Sequence, residues 1–179
     1  MASTLLLAKQ RADYRFRPMV SSDLAMVRTW LSEPHVRQWW GEPDEQFALV
    51  SGDLADSAME QFIVAYGERP FAYVQSYDLS AWPPEIAFSD QPRGTHGVDQ
   101  FIGEPAMIDR GHGSAFLRIF VSGLLDGGAP RVLTDPDPAN HHAIRAYEKA
   151  GFLGVRLVDT SEGRALLMIR DNPEPPTAP

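Results

Sequence analysis

Apolar runs, some alternating and some continuous, are broken by proline and glycine into a series of short elements. Tyr14-Arg15-Phe16-Arg17 alternates and predicts a first strand, closed by Pro18. Ser21-Ser22-Asp23 offers N-cap side chains to a helix with Leu24, Val27 and Leu31 on its inner face. Pro34 restarts the chain as a second helix holding Val36, Trp39 and Trp40, and Gly41 and Pro43 break it. Asp44 to Ala55 is a further helix candidate, carrying Phe47, Leu49 or Val50, and Leu54. Gln61 to Tyr66 and Phe71 to Tyr77 predict a hairpin across the turn Gly67-Glu68-Arg69-Pro70.

Asp78 to Arg93 has three prolines and weak periodicity, so it reads as a long loop. Thr95 to Ile102 predicts a central strand, and a short link through Glu104-Pro105 follows. Phe116, Leu117, Phe120, Val121, Leu124 and Leu125 then repeat at helical spacing until Gly127-Gly128. Arg131 to Asp135 predicts another strand. Asn140 sits at a helix N-cap, with Ala143, Ile144, Tyr147 and Ala150 on one face, Gly151 at the C-terminal stop and Phe152 opening the next strand. Val155 to Val158 and Ala165 to Arg170 form a last strand pair across Ser161-Glu162-Gly163. The order is strand, helices, hairpin, strand, helix, strand, helix, hairpin. It predicts a mixed α/β fold with one sheet and helices on its faces. Residues 13–170 make a single domain, 1–12 a flexible start and 171–179 a polar, proline-rich disordered tail.

Composition narrows what this domain can do. With 179 residues the chain can bury a sizeable core. No apolar run approaches the roughly 20 residues needed to span a bilayer, and Leu5-Leu6-Leu7 lacks preceding basic residues, which makes a poor secretory signal. A cytoplasmic location is the simplest expectation. No cysteine is present, which removes disulfides, thiol nucleophiles and thiolate metal sites. The formal net charge of −8 argues against nucleic acid or an anionic membrane as partner, and suits a cationic one.

Three places carry candidate chemistry. Arg110-Gly111-His112-Gly113-Ser114 lies between a strand and an amphipathic helix, where free amide protons can hold phosphate; an ordinary glycine turn would look the same. Asp135, at a strand end before proline, and Tyr147, on a buried helix face, fit a reactive pair, or a turn residue and a satisfied core phenol. Asp99 interrupts the apolar run Val98…Phe101-Ile102, which is costly unless the carboxylate is paired, functional or solvent-facing.

Taken together, the glycine loop, its helix, the next strand and the Asn140…Tyr147-Glu148-Lys149-Ala150-Gly151-Phe152 segment resemble the GNAT acyl-CoA-dependent N-acetyltransferases. Trp39-Trp40-Gly41, Tyr73-Val74-Gln75-Ser76-Tyr77, Gly97-Val98-Asp99-Gln100 and Thr134-Asp135-Pro136-Asp137-Pro138-Ala139-Asn140 bring the likeness closest to the aminoglycoside 6′-N-acetyltransferases. The resemblance implies a largely antiparallel, twisted sheet splayed at the CoA site, with helices on both faces. It implies acetyl-CoA as co-substrate, no metal, and a small cationic amine as partner of a monomer or homodimer.

Residue by residue, the resemblance makes Asp99 and Tyr147 the catalytic candidates, as amine base and as acid to the leaving thiolate. Gln100, Phe101, Ile102, Arg110, Gly111, His112, Gly113, Ser114, Asn140, Ala143 and Tyr147 become the cofactor contacts. Trp40, Tyr77, Glu85, Asp99, Asp135 and Glu162 become the substrate contacts. A backbone N–H near Gln100 or Phe101 is suited to the oxyanion that forms when an amine attacks the acetyl carbonyl directly. Ile108 stands where the superfamily's glycine loop usually carries Arg or Gln, a departure that bears on CoA binding, which backbone amides can still supply; Pro84 stands where a substrate-binding aspartate is expected, so the amine's identity stays open. Acylation of lysine or hydroxylysine derivatives, as in siderophore synthesis, or of peptide N-termini is the alternative in the same class. A non-catalytic acyl-CoA-binding module is the alternative outside it.

Overall fold

Residues 13–81, 88–161 and 163–173 are described by a computed structural model, and among them seven strands form one sheet. Trp82, Glu85 and Glu162 fall outside those residues, as do 1–12 and 174–179. The strands are β1 (Tyr14–Pro18), β2 (Met59–Tyr66), β3 (Arg69–Asp78), β4 (His96–Ile102), β5 (Arg131–Thr134), β6 (Leu153–Thr160) and β7 (Gly163–Asp171). The helices are α1 (Leu24–Leu31), α2 (Pro34–Trp40), α3 (Pro43–Asp53), α4 (His112–Asp126) and α5 (His141–Lys149). The order across the sheet is β1-β2-β3-β4-β5-β7-β6, antiparallel except where β4 meets β5.

The central strands read as continuous apolar runs because both their faces are covered. Phe62 and Val64 join α4, Phe16 and Val98 on one face. Ile63, between them, joins Tyr73, Phe101 and helices α1 to α3 on the other. The β5–β7 half differs. Its α5 face joins the α4 core through Tyr147 and Met168, while Leu133, Val158, Ala165 and Leu167 on its other face are covered by Leu79 and Phe88 from the long loop. Helices therefore flank both faces of the first half only.

Several boundaries shift from those read in the sequence. Ser21–Asp23 forms a short 3-10 turn, and Asp23 does not cap α1. Its carboxylate turns back to take two 2.6 Å bonds from Arg17 and one from Val20 N. The Arg17 guanidinium holds its pKa below the usual carboxylate range. Pro43 starts α3 instead of merely ending α2, as its fixed φ allows. Asp171 and Asn172, read as the start of the tail, belong to the folded domain: Asp171 completes β7 opposite Arg131, and Asn172 Nδ2 donates to Leu125 O and Ala129 O. The α1 face also includes Trp30, which is 3% exposed and lies directly over Gly103. Among the described residues no helix is long and apolar enough to cross a membrane.

Candidate active site

The one parallel junction of the sheet is short. β4 and β5 share only the register pairs His96↔Val132 and Gly97↔Leu133. From Val98 to Ile102, β4 keeps its ladder with β3 and leaves its other edge to the gap between the diverging strands. A cleft of about 690 Å³ opens there, lined by Trp40, Tyr77, Asp99, Gln100, Asp135, Asn140, Ala143 and Tyr147 among others.

Asp99 enters the cleft from the middle of β4. Its cross-strand neighbour is Gln75, whose Nε2 donates to Asp99 Oδ2 at 3.0 Å. Tyr77, two residues along β3, faces Gly97 so closely that a Cβ there would stand 2.3 Å from the tyrosine ring. Glycine at position 97 is thus what lets the phenol lie against β4 two residues before Asp99. Trp40 closes this end, edge-on to Phe101 with ring centroids 4.8 Å apart.

The far wall is the segment between β5 and α5. Asp137 accepts from Ala139 N at 2.7 Å, a side-chain turn of the kind aspartate favours before proline. Pro136 O accepts from Leu166 N of β7 at 2.9 Å, which fixes the course of the chain next to Asp135. Asn140 Oδ1 then accepts from Ala143 N at 3.0 Å and caps α5 as its sequence requires. The helix carries Tyr147 to the floor of the cleft, 4% exposed. Burial pushes the Tyr147 hydroxyl well above the usual phenol range, the Asp99 carboxylate adds to this, and Thr134 and Gln100 oppose it. Tyr147 is a neutral donor at any ordinary pH.

The glycine loop lies beyond the end of β4. Gly111, at φ 80°, turns the chain into α4, and a Cβ built there would meet nothing within 4 Å. The amides of the following turn open α4, so the loop offers the free N–H groups and positive helix end that suit a pyrophosphate. Asp109, also at positive φ (59°), accepts from His142 of α5 at 2.5 Å and ties this loop to the opposite wall. Among the described residues Gln100 Oε1 has no hydrogen-bond partner, and it is buried in the cleft wall, an acceptor suited to an amide-bearing arm. These features fit a CoA-type ligand.

The residues expected at the site do not all meet the cleft by their side chains. Phe101 packs into the α1–α3 core, so only its backbone faces the gap. Ile102 packs toward the α4 core. The His112 side chain turns away from the loop, its Nδ1 2.8 Å from Tyr14 Oη and its ring among Tyr14, Tyr66 and Phe71. Conversely, Asp53 at the end of α3, Asp137, Trp39 and Arg164 line the cleft; Trp39 and Asp137 belong to motifs that carry the resemblance, but none of the four is expected there as a site residue from the sequence. Burial, reinforced by Asp56, holds the Asp53 carboxyl above its ordinary value. Helix periodicity marks Asp53 only as a polar position; what places it in the cleft is the crossing of α3 over the sheet.

A family model described as an acetyltransferase (GNAT) domain matches residues 19–160 of the chain. The chain belongs to the GNAT acetyltransferases. The acetyltransferase is 32% identical over 162 residues to aminoglycoside N(6′)-acetyltransferase type 1 of Klebsiella pneumoniae, covering 86% of this chain and 81% of that protein. It is 37% identical over 78 residues to a kanamycin resistance protein of Rhizobium radiobacter, covering 43% of this chain and 72% of the relative. In structure it is similar to the aminoglycoside acetyltransferase AAC(6′)-Ib in complex with coenzyme A and kanamycin, with TM-score 0.78 and 29% identity, over 88% of this chain and 94% of that one.

Two histidines of the acetyltransferase give it a pH response. Desolvation, then Arg110, lowers the pKa of His112; desolvation also lowers that of His96, outweighing Asp78 and Glu60. Both resist protonation more in the folded than in the unfolded chain. Their contribution to stability is complete above the free histidine value of about 6.5 and is lost as pH falls below it. Melting temperature should therefore fall between pH 7.5 and 5.5, with both ring resonances titrating below the free value. Midpoints at or above that value would contradict the assignment.

Proposed function

We propose that this acetyltransferase transfers the acetyl group of acetyl-CoA to a primary amine of a polycationic aminosugar, the 6′-amine of an aminoglycoside. The observation that carries this reading is the charge of the cleft: Asp53, Asp99, Asp135 and Asp137 line it, against Arg93 and Arg164. Carboxylates spread over such a cavity suit a ligand with several ammonium groups and concentrate it there. The named relatives support the same substrate class.

Acetyl-CoA supplies the acyl group as a thioester. The loop amides from Gly111 to Ser114 hold its pyrophosphate, and the open edge of β4 from Val98 to Ile102 presents main-chain N–H donors toward the carbonyl oxygen. Asp99 holds the substrate ammonium and takes its first proton, directly or through water, which frees the lone pair that attacks the acyl carbon; the second proton leaves the nitrogen once the C–N bond has formed. A carboxylate is a weak base for an amine, so much of the acceleration comes from positioning, with Asp135 and Trp40 orienting the remainder of the substrate. As the C–S bond breaks, charge develops on sulfur, and Tyr147 donates a hydrogen bond to it. A phenol whose proton is held this tightly stabilises a thiolate without giving the proton up outright. Of the two protons lost by the ammonium, one ends on the thiol and one in solvent.

The test is thiol release from acetyl-CoA with kanamycin-type aminoglycosides beside lysine derivatives and short peptides, with the acetylated position read by NMR. Release with aminoglycosides, and acetyl on the 6′-nitrogen, is the expected result. Release with lysine derivatives or peptides alone would move the enzyme to another acceptor. Tight CoA binding without release for any amine would favour a binding module.

A further inference from the structure

Gln75 faces Asp99 across the β3–β4 ladder, and Tyr73 stands two residues earlier on the same face of β3. Their polar atoms form a chain: Tyr73 Oη donates to Gln75 Oε1 at 2.6 Å, and Gln75 Nε2 donates to Asp99 Oδ2 at 3.0 Å. Chemistry alone dictates this direction. A carboxylate can only accept, so the amide nitrogen must face Asp99 and the amide oxygen must face the phenol. The phenol keeps its proton, because burial and then the Asp99 charge push its pKa far above the usual range. The chain starts from a rigid point. Tyr73 is fully buried, stacked on Phe101 at 5.2 Å, with Trp40 edge-on to it at 6.1 Å.

We propose that Tyr73 and Gln75 are positioning residues that fix the direction of the Asp99 carboxylate toward the amine and keep it ionised. The proposal rests on the reading of Asp99 as the amine-holding group. A flexible carboxylate would hold an ammonium in many poses, of which few direct the nitrogen at the acyl carbon. An amide donor on Oδ2 stabilises the charged form and removes rotation about the side chain. The chain also connects the substrate wall to the core: the ring that anchors Gln75 is the ring against which Trp40 packs. Among the described residues, Asp53 of α3 also acts on Tyr73, and Asp99 acts together with Asp135 on Tyr147 of α5.

The experiment follows the Asp99 carboxyl carbon by NMR in aspartate-labelled enzyme, its resonance assigned through Asp99→Asn, for the wild type, Gln75→Leu and Tyr73→Phe. Gln75→Leu should move the Asp99 titration midpoint to higher pH and raise KM for the amine about ten-fold, the scale of one charge-assisted hydrogen bond. CoA affinity should stay unchanged. Tyr73→Phe keeps the buried ring, guards against a folding failure at position 75, and should shift the midpoint in the same direction by less. An unmoved midpoint and unchanged KM in both variants would overturn the proposal. If Asp99→Asn proves fully active while Gln75→Leu still moves the midpoint, the hydrogen-bonded chain stands and the catalytic reading of Asp99 falls.

Discussion

Asp99→Asn should lower thiol release at saturating amine by about one to three orders of magnitude, the scale of losing a positioned general base. The substitution is close to isosteric, and an asparagine oxygen can still accept from Gln75 Nε2, so the local packing is preserved. On the proposed mechanism, what is lost is the negative charge that would hold the ammonium and the site that would take its proton. The glycine loop proposed to hold CoA follows β4, beyond Ile102, so CoA affinity measured by calorimetry should not change. Turnover within about two-fold of the wild type would remove Asp99 from the chemistry and leave amine binding as its role.

Much of the frame around that residue is legible in the sequence, because it is specified by neighbours in the chain. Asn140 caps α5 through a residue three positions away, and Gly151 follows the helix at φ 99°. Such signals are local, and they place Tyr147 on the buried face before any strand is paired. The Gly111 turn is local in the same sense. The sequence is silent on what depends on register between distant residues. Gln75 and Asp99 are 24 positions apart, and only the alignment of β3 with β4 makes them partners. Similarly, the last two strands are visible as a pair, but chain order does not say that β7 inserts between β5 and β6. Asp53 and Trp30 sit on helices whose faces are read from periodicity. Their neighbours across the sheet, the cleft and Gly103, belong to other elements.

Gly103→Ala carries the second large effect, on stability. A Cβ at this position would lie 2.1 and 2.2 Å from Cγ and Cδ2 of Trp30 and 2.7 Å from its Cβ. Those atoms are at the root of the side chain, so a change of rotamer tip cannot relieve the clash. The indole has little room to retreat: it is edge-on to Phe101 at 6.5 Å, and its Nε1 donates to Glu104 Oε1 at 3.3 Å. The backbone is held as well, through Gly103 N donating to Phe71 O at 2.8 Å. Forcing a methyl into a packed core of this kind costs about 1–3 kcal/mol. For a chain of this size that corresponds to a fall in melting temperature of roughly 3–10 °C. Gly52→Ala is the control, since Gly52 lies within α3 and a Cβ there meets nothing within 4 Å. It should hold or raise the melting temperature, as removing a helical glycine does. Equal melting temperatures for the wild type and Gly103→Ala would show that Trp30 yields freely.

The two-pair junction of β4 and β5 has a mechanical consequence. A sheet normally transmits force from strand to strand through its backbone ladder, and here that ladder almost stops at mid-sheet. Continuity passes instead through side chains. α4 packs Phe116, Phe120 and Val121 into a core shared by Phe62 and Phe71 on one side and Val132 and Met168 on the other. The helix is the hinge pin of two half-sheets. Trimming its buried side chains would widen the gap between those halves before it unravelled either of them. The span between Asp99 and Asp135 is then set by the girth of aromatic and aliphatic groups packed in the core behind the cleft.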